Sequence, residues 1–130
     1  MRVCHRPTDR SGRATADVLS QEGATLVLAD RDTDGIGNLA AQLHARGSRA
    51  IAVTADVSKR AEVEAAANEA IAAFGRVDIV VNNAGIARDA TIWGMTEADW
   101  DSVIRVHLKG TFAPTQAAVR HWRELNKAGE

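Results

Sequence analysis

The chain has 130 residues, of which 45% are apolar and 25% are charged, with a formal net charge of −1. This composition predicts one soluble globular domain, and its balanced charge argues against nucleic acid or an anionic membrane as a partner. No apolar run approaches the roughly 20 residues that span a bilayer, and the first residues lack the apolar core of a secretory signal. Cys4 is the only cysteine, so an internal disulfide is excluded and a reducing, cytoplasmic setting is expected.

The first eleven residues are polar and basic, and we expect them to be irregular, with only Val3 and Cys4 able to begin a strand. From Gly12 onwards, apolar residues at helical spacing alternate with short apolar runs that are typical of buried strands. The predicted strands cover residues 25–29, 49–55 and 77–81. This alternation, with connections of a few residues, predicts an α/β fold: a doubly wound parallel sheet of about four strands with helices on both faces.

Several residues mark where the predicted helices begin, end or bend. Ser58 is expected to cap one helix and Thr96 the long helix that follows the last strand. Gly75 is expected to end the helix that Ser58 begins. Pro114 lacks a backbone donor and should bend the long helix near Gly110.

Polar residues follow three of the predicted strands at the point where each strand ends: Asp30, Asp56 and the pair Asn82-Asn83. Carboxyl ends of parallel strands meet at one edge of a sheet, so we expect these side chains to share one crevice. An acid in the position of Asp30 hydrogen-bonds the adenine ribose in dinucleotide-binding folds, and it would repel a 2′-phosphate. This favours NAD over NADP, although the neighbouring Arg31 is able to pair with that phosphate. The alternative is that Asp30 is simply a loop or helix-capping acid.

These strand ends carry a family resemblance. The sequence Val80-Val81-Asn82-Asn83-Ala84-Gly85, together with Leu28-Ala29-Asp30-Arg31, Asp56-Val57, Trp100-x-x-Val103 and Gly110-Thr111-Phe112, resembles the short-chain dehydrogenase/reductase family from about Gly12 to the last residue. The resemblance implies a Rossmann-like fold that binds NAD(P) and transfers a hydride between nicotinamide and an alcohol or carbonyl. It identifies residues 1–130 as a single, partial cofactor-binding domain.

Carried over by position, the resemblance implies a set of cofactor-binding residues. Asp30 would hold the adenosine ribose, Asp56 the adenine amino group, and Val57 would line the adenine pocket. Asn82 and the Ala84-Gly85 backbone would lie along the ribose on the nicotinamide side. The complete set is Gly12, Asp30, Arg31, Asp56, Val57, Asn82, Ala84 and Gly85.

The phosphate-binding turn departs from the family pattern, which is Thr-Gly-x-x-x-Gly-x-Gly. When Gly12 is aligned with the last glycine, His5, Arg6 and Arg10 replace the threonine and the first two glycines. Glycine allows the backbone to turn tightly and approach the pyrophosphate, and an arginine side chain would fill that space. Either Arg6 and Arg10 bind phosphate directly, or residues 1–11 are foreign to the fold. The second interpretation is preferred.

The catalytic half of the family pattern has no counterpart here. His107 stands where the family has a helix-kinking asparagine, and it is either a hydrogen-bonding proton relay or a packed core histidine. The family's base is the tyrosine of Tyr-x-x-x-Lys, and this chain contains no tyrosine. We therefore assign no catalytic residue and expect a truncated chain that is inactive alone. The spacing of the histidines also predicts no metal ligand.

Two surfaces are expected to drive self-association. The 97–125 helix packs against a second copy in the family, and the strand at residues 79–81 should present an apolar edge. The alternative to an oxidoreductase half is a residual nucleotide-binding or oligomerisation module, or a non-functional fragment.

Overall fold

The computed structural model describes residues 8–129, together with the backbone of residues 2–5. Over these residues the chain forms four strands and five α-helices, with one π-helical segment, Arg105–Lys109, between the last two helices. The strands are β1 (Arg2–His5), β2 (Leu26–Asp30), β3 (Ala50–Thr54) and β4 (Ile79–Val81). The helices are α1 (Arg10–Gln21), α2 (Thr33–Ala45), α3 (Arg60–Phe74), α4 (Glu97–Ile104) and α5 (Gly110–Ala128).

The four strands form one parallel sheet in the order β3-β2-β1-β4. Strand β1 lies between β2 and β4, so the chain reverses its direction of travel across the sheet after β3. This reversal is the arrangement that opens a ligand crevice at the carboxyl ends of the strands. The predicted α/β, doubly wound fold is confirmed, and β4 is an edge strand of the described sheet, with Ile79 41% exposed.

Both faces of the sheet are covered, which explains the uninterrupted apolar runs in the sequence. Leu26 and Leu28 pack on one face against α1 and α2, while Val27 packs on the other face with α3. These three side chains of β2 are 0% exposed. Burial of each such apolar side chain contributes about 1.5–3 kcal/mol to the stability of the fold. Strand β2, which ends at Asp30, is therefore a deeply buried support of the crevice.

The expectation that residues 1–11 are irregular is wrong for residues 2–5 and for the first two residues of α1. Arg2–His5 form the strand that pairs with β2 on one side and β4 on the other. Two flanking strands satisfy the backbone groups of β1 whatever its side chains are, so a sequence with little apolar pattern still forms a central strand. Helix α1 begins at Arg10, two residues before Gly12, because Asp9 caps it. Residues 1, 6 and 7 lie outside the described part of the chain.

The helix boundaries agree with most of the predicted caps. Thr96 caps α4, where its hydroxyl oxygen accepts the Asp99 N–H at 3.1 Å, and Gly75 ends α3 with a φ of 79°. The cap predicted at Ser58 is wrong: the N-cap of α3 is Lys59, and the N–H of Ser58 instead donates to Asp56 Oδ1 at 2.9 Å. The bend expected near Gly110 stays a prediction: Pro114 lies inside α5, and a π-helical segment ends at Lys109, the residue before Gly110.

Candidate functional site: the cleft at the strand ends

The carboxyl ends of β2, β3 and β4 open onto a cleft of about 280 Å³. Six of the eight predicted cofactor-binding residues line it, whereas Gly12 and Asn82 are not among its lining residues. The six are Asp30, Arg31, Asp56, Val57, Ala84 and Gly85. They come from three separate strand ends, and the parallel sheet brings them together as expected.

Asp30 is held in place by the turn that precedes α1. Its Oδ2 accepts the Thr8 hydroxyl at 2.5 Å and the Thr8 N–H at 3.4 Å. Its Oδ1 accepts the N–H groups of Arg31 at 2.7 Å and Asp32 at 3.3 Å. These four donors match the capacity of a carboxylate, which is about four hydrogen bonds. These contacts are those of a loop acid, and the role of Asp30 as a ribose ligand stays a prediction.

Asp56 directly follows β3 and carries a stabilised negative charge. Burial raises its pKa, but the hydrogen bonds from the Ser58 backbone and hydroxyl, with the nearby charges of Arg31 and Lys59, outweigh burial and lower the pKa overall. Arg31 Nη1 lies 3.8 Å from Asp56 Oδ2. The Asp56 backbone N–H donates to Glu62 Oε2 at 2.8 Å, which fixes the turn. The result is an ionised acceptor at the rim of the cleft.

Val57 supplies an apolar wall and is 8% exposed. It packs with Ala84 and Val106 and touches the start of α5 at Gly110. A Cβ added at Gly110 would lie 2.8 Å from Val57 Cγ2. Glycine at that position is therefore what allows the long helix to approach the residue that follows Asp56.

The two asparagines after β4 hydrogen-bond side chains that do not line the cleft. Asn82 Nδ2 donates to Thr115 Oγ1 on α5 at 3.1 Å, so this side chain ties β4 to the helix. Asn83 Nδ2 lies 3.1 and 3.3 Å from the two carboxylate oxygens of Asp9. Asp9 was not predicted to have a role, although an Asp just before a helical pattern is a recognised capping signal.

His107 lies in the π-helical segment and reaches the loop that follows β4. Its Nε2 is 2.8 Å from the Ile86 carbonyl oxygen and 3.1 Å from the Ile86 backbone nitrogen. A Cβ at Gly85 would lie 2.8 Å from the His107 Cε1, so glycine there admits the imidazole ring. His107 is exposed, and the interpretation as a core histidine is wrong. π-helical turns of this kind are frequent at functional sites.

Three further polar side chains line the cleft and carry no motif that would reveal them from the sequence: Arg88, Ser102 and Arg105. The cleft therefore has three arginine side chains, Arg31, Arg88 and Arg105, and two carboxylates, those of Asp30 and Asp56.

Among residues 8–129, no group of three or more His, Cys, Asp or Glu side chains is arranged to hold a metal ion. No helix in the described part of the chain is both long and apolar enough to cross a bilayer.

Comparison with known proteins identifies the family to which this arrangement belongs. A family model described as short chain dehydrogenase matches residues 11–130. The chain belongs to the short-chain dehydrogenase family. A curated relative, the (2S)-[(R)-hydroxy(phenyl)methyl]succinyl-CoA dehydrogenase subunit BbsD of Thauera aromatica, is 42% identical over 118 residues, which cover 91% of this chain and 47% of the relative.

Two solved structures that contain nicotinamide cofactors share this fold. An alcohol dehydrogenase from the archaeon Thermococcus sibiricus, complexed with 5-hydroxy-NADP, has a TM-score of 0.90 and 27% identity, covering 95% of this chain and 53% of that one. A short-chain dehydrogenase/reductase from Burkholderia phymatum in complex with NAD has a TM-score of 0.89 and 32% identity, covering 92% and 43%. The chain therefore spans about half the length of the relatives it matches, and both NAD and NADP occur among them.

Proposed function

We propose that the chain is the cofactor-binding half of an NAD(P)-dependent short-chain oxidoreductase, an enzyme that transfers a hydride between nicotinamide and an alcohol or carbonyl. The observation that carries this proposal is the convergence of Asp30, Asp56, Val57 and the Ala84-Gly85 backbone on one cleft. The carboxylates offer acceptors for a ribose and for an adenine amino group, and Val57 offers an apolar surface for the base. The adenosine end of the cofactor therefore fits the residues present.

The cofactor preference proposed here is NAD. A 2′-phosphate would meet the carboxylate of Asp30, and like charges at short range repel strongly in a partly buried site. Arg31 is the residue that would offset this repulsion, but its guanidinium lies 3.8 Å from Asp56 and is shared with that carboxylate. NAD carries no 2′-phosphate and needs no such compensation.

The chain alone is proposed to bind nucleotide without turning over a substrate. The family's proton-transferring tyrosine has no counterpart, because the sequence contains no tyrosine. Proton transfer by a positioned side chain contributes about 10²–10⁴-fold to such rates, so its loss removes most of the activity. The competing proposal is a fragment that binds no nucleotide.

Amide hydrogen exchange with millimolar adenosine or NAD separates these proposals. We expect adenosine to slow exchange at the ends of β2 and β3, and we expect Asp56→Ala to abolish this protection. Asp101→Ala, an exposed acid on α4 outside the cleft, is the matched control and should leave the protection intact. An exchange pattern that neither ligand alters would favour the non-functional fragment.

We also propose that the chain self-associates through its long helix. Leu108, Phe112 and Val119 are 62%, 55% and 41% exposed and line one apolar groove of the helix surface. Exposed apolar patches of this kind mark interaction sites in soluble proteins. In sedimentation velocity, Phe112→Glu should shift the protein towards monomer, whereas Ile92→Glu, in an exposed loop, should not. Equal masses for all three proteins would contradict this proposal.

A further inference from the structure

The turn before α1, formed by Thr8 and Asp9 and called the strap below, connects the end of β2 with the residues that follow β4. Thr8 is hydrogen-bonded to Asp30 at the end of β2, and Asp9 to Asn83 after β4. Strand β1, which leads into the turn, lies between those two strands. The strap therefore covers the point at which the two halves of the sheet meet, which is where the phosphates of a dinucleotide lie in this type of fold.

The amino terminus of α1 already binds an anion that belongs to the chain. Asp9 Oδ1 accepts the N–H of Gly12 at 2.7 Å, and both carboxylate oxygens contact the Asn83 amide. Free N–H groups at a helix amino terminus, together with the helix dipole, are what bind a pyrophosphate in a dinucleotide fold. Here the N–H of Gly12, the last glycine of the family's turn, is occupied by a carboxylate.

A pyrophosphate does not fit this arrangement. It would have to displace Asp9 from both Gly12 and Asn83, and its negative charge would then lie beside the negative charge of the Asp9 carboxylate. Arg10 occupies the first position of α1, where the family has a glycine that admits the phosphates. The adenosine half of the cleft, formed by Asp30, Asp56 and Val57, does not involve this contact.

We propose that Asp9 acts as a built-in competitor of the cofactor's pyrophosphate, so that the cleft selects adenosine over NAD. This inference rests on the proposed adenosine site and adds a specificity-determining residue to it. The competitor is the Asp9 carboxylate, which accepts hydrogen bonds from Gly12 and Asn83. Replacing this carboxylate should restore phosphate binding without altering the adenosine pocket. Asn and Ser both cap helices well, so Asp9→Asn and Asp9→Ser remove the charge while keeping α1 capped.

The test is the ratio of NAD affinity to adenosine affinity, measured by isothermal titration calorimetry on the full chain. In the unsubstituted protein we expect adenosine to bind more tightly than NAD. We expect Asp9→Asn and Asp9→Ser each to raise the ratio at least about tenfold, the factor that corresponds to ~1.4 kcal/mol. Asp32→Asn is the matched control, because Asp32 caps α2 through the Gly35 N–H at 3.0 Å and its loss changes the net charge equally.

The outcomes distinguish the two proposals. If adenosine binds but the ratio is the same in the Asp9 variants, or rises equally in Asp32→Asn, the competitor is refuted and the adenosine site stands. If the unsubstituted chain binds NAD more tightly than adenosine, the competitor is likewise refuted. If adenosine binds none of the proteins, although circular dichroism shows them folded, the proposed function fails and the inference fails with it.

Discussion

Replacing Gly110 with alanine should destabilise the chain, although alanine is the better helix former. Gly110 is buried and has a helical φ of −68°. Its new Cβ would lie 2.8 Å from Val57 Cγ2, 3.3 Å from Val57 Cβ and 3.5 Å from the Val57 carbonyl oxygen. The nearest of these contacts is shorter than carbon atoms tolerate, so either Val57 or the start of α5 has to move. Overpacking of this kind costs about 1–3 kcal/mol.

Gly37 provides the matched control, because it lies inside α2 with nothing within 4 Å of an added Cβ. Gly37→Ala should therefore raise the free energy of unfolding by about 0.5–1 kcal/mol, through helix propensity alone. Gly110→Ala gains the same helix propensity but incurs the overpacking cost, so it should lower the free energy of unfolding by up to ~2 kcal/mol. The difference between the two variants isolates the contact with Val57.

Urea denaturation followed by far-ultraviolet circular dichroism measures both free energies. The double variant Gly110→Ala/Val57→Ala removes the nearest atom, Cγ2, and should show a positive coupling energy between the two positions. If Gly110→Ala stabilises the protein as much as Gly37→Ala does, α5 does not approach Val57 as described. The account of how the long helix reaches the cleft would then be wrong.

Two other predictions concern the edge strand and the cleft. Trp122→Phe removes the indole N–H that donates to the Val77 carbonyl oxygen at 2.6 Å. It should lower the free energy of unfolding by about 1–3 kcal/mol and speed amide exchange in β4. Trp93 is 85% exposed, so the control Trp93→Phe should change neither quantity. The pKa of Asp56 lies below its ordinary value of 3.8, so its stabilising contribution is complete above that pH and is lost as the pH falls through the folded-state pKa. Asp56→Asn should accordingly flatten the fall in unfolding free energy below about pH 4, and an unchanged acid profile in urea titrations would refute that assignment.

The fold was largely predictable because its strands after β1 are apolar and its helices carry clear capping signals. Strand β2 is buried on both faces, and its uninterrupted run Leu26-Val27-Leu28-Ala29 records that burial directly. The sequence of β1, Arg-Val-Cys-His, shows no such apolar run. Its place in the centre of the sheet depends on backbone pairing with both neighbours, which a single-sequence pattern does not report.

The site was predictable where it depends on strand ends and not where it depends on long-range side-chain contacts. Asp30 and Asp56 follow strands, so the sheet alone places them in one cleft. Asn82 and Asn83 also follow a strand, yet their amides turn to Thr115 and Asp9. No spacing rule links partners so far apart in the sequence, because only the folded backbone brings them together.

His121 and Trp122, on α5, both hydrogen-bond the backbone of Val77, the residue two positions before β4. The Val77 backbone N–H donates to His121 Nε2 at 3.3 Å and its carbonyl oxygen accepts the Trp122 indole N–H at 2.6 Å, across 44 and 45 residues of sequence. Helix α5 thus holds the residues that lead into β4. Closing a loop of that length carries an entropic cost that local contacts do not carry. We expect β4 to be the last strand to become protected during refolding. A nascent chain would then keep its edge strand open until α5 has been synthesised and has docked.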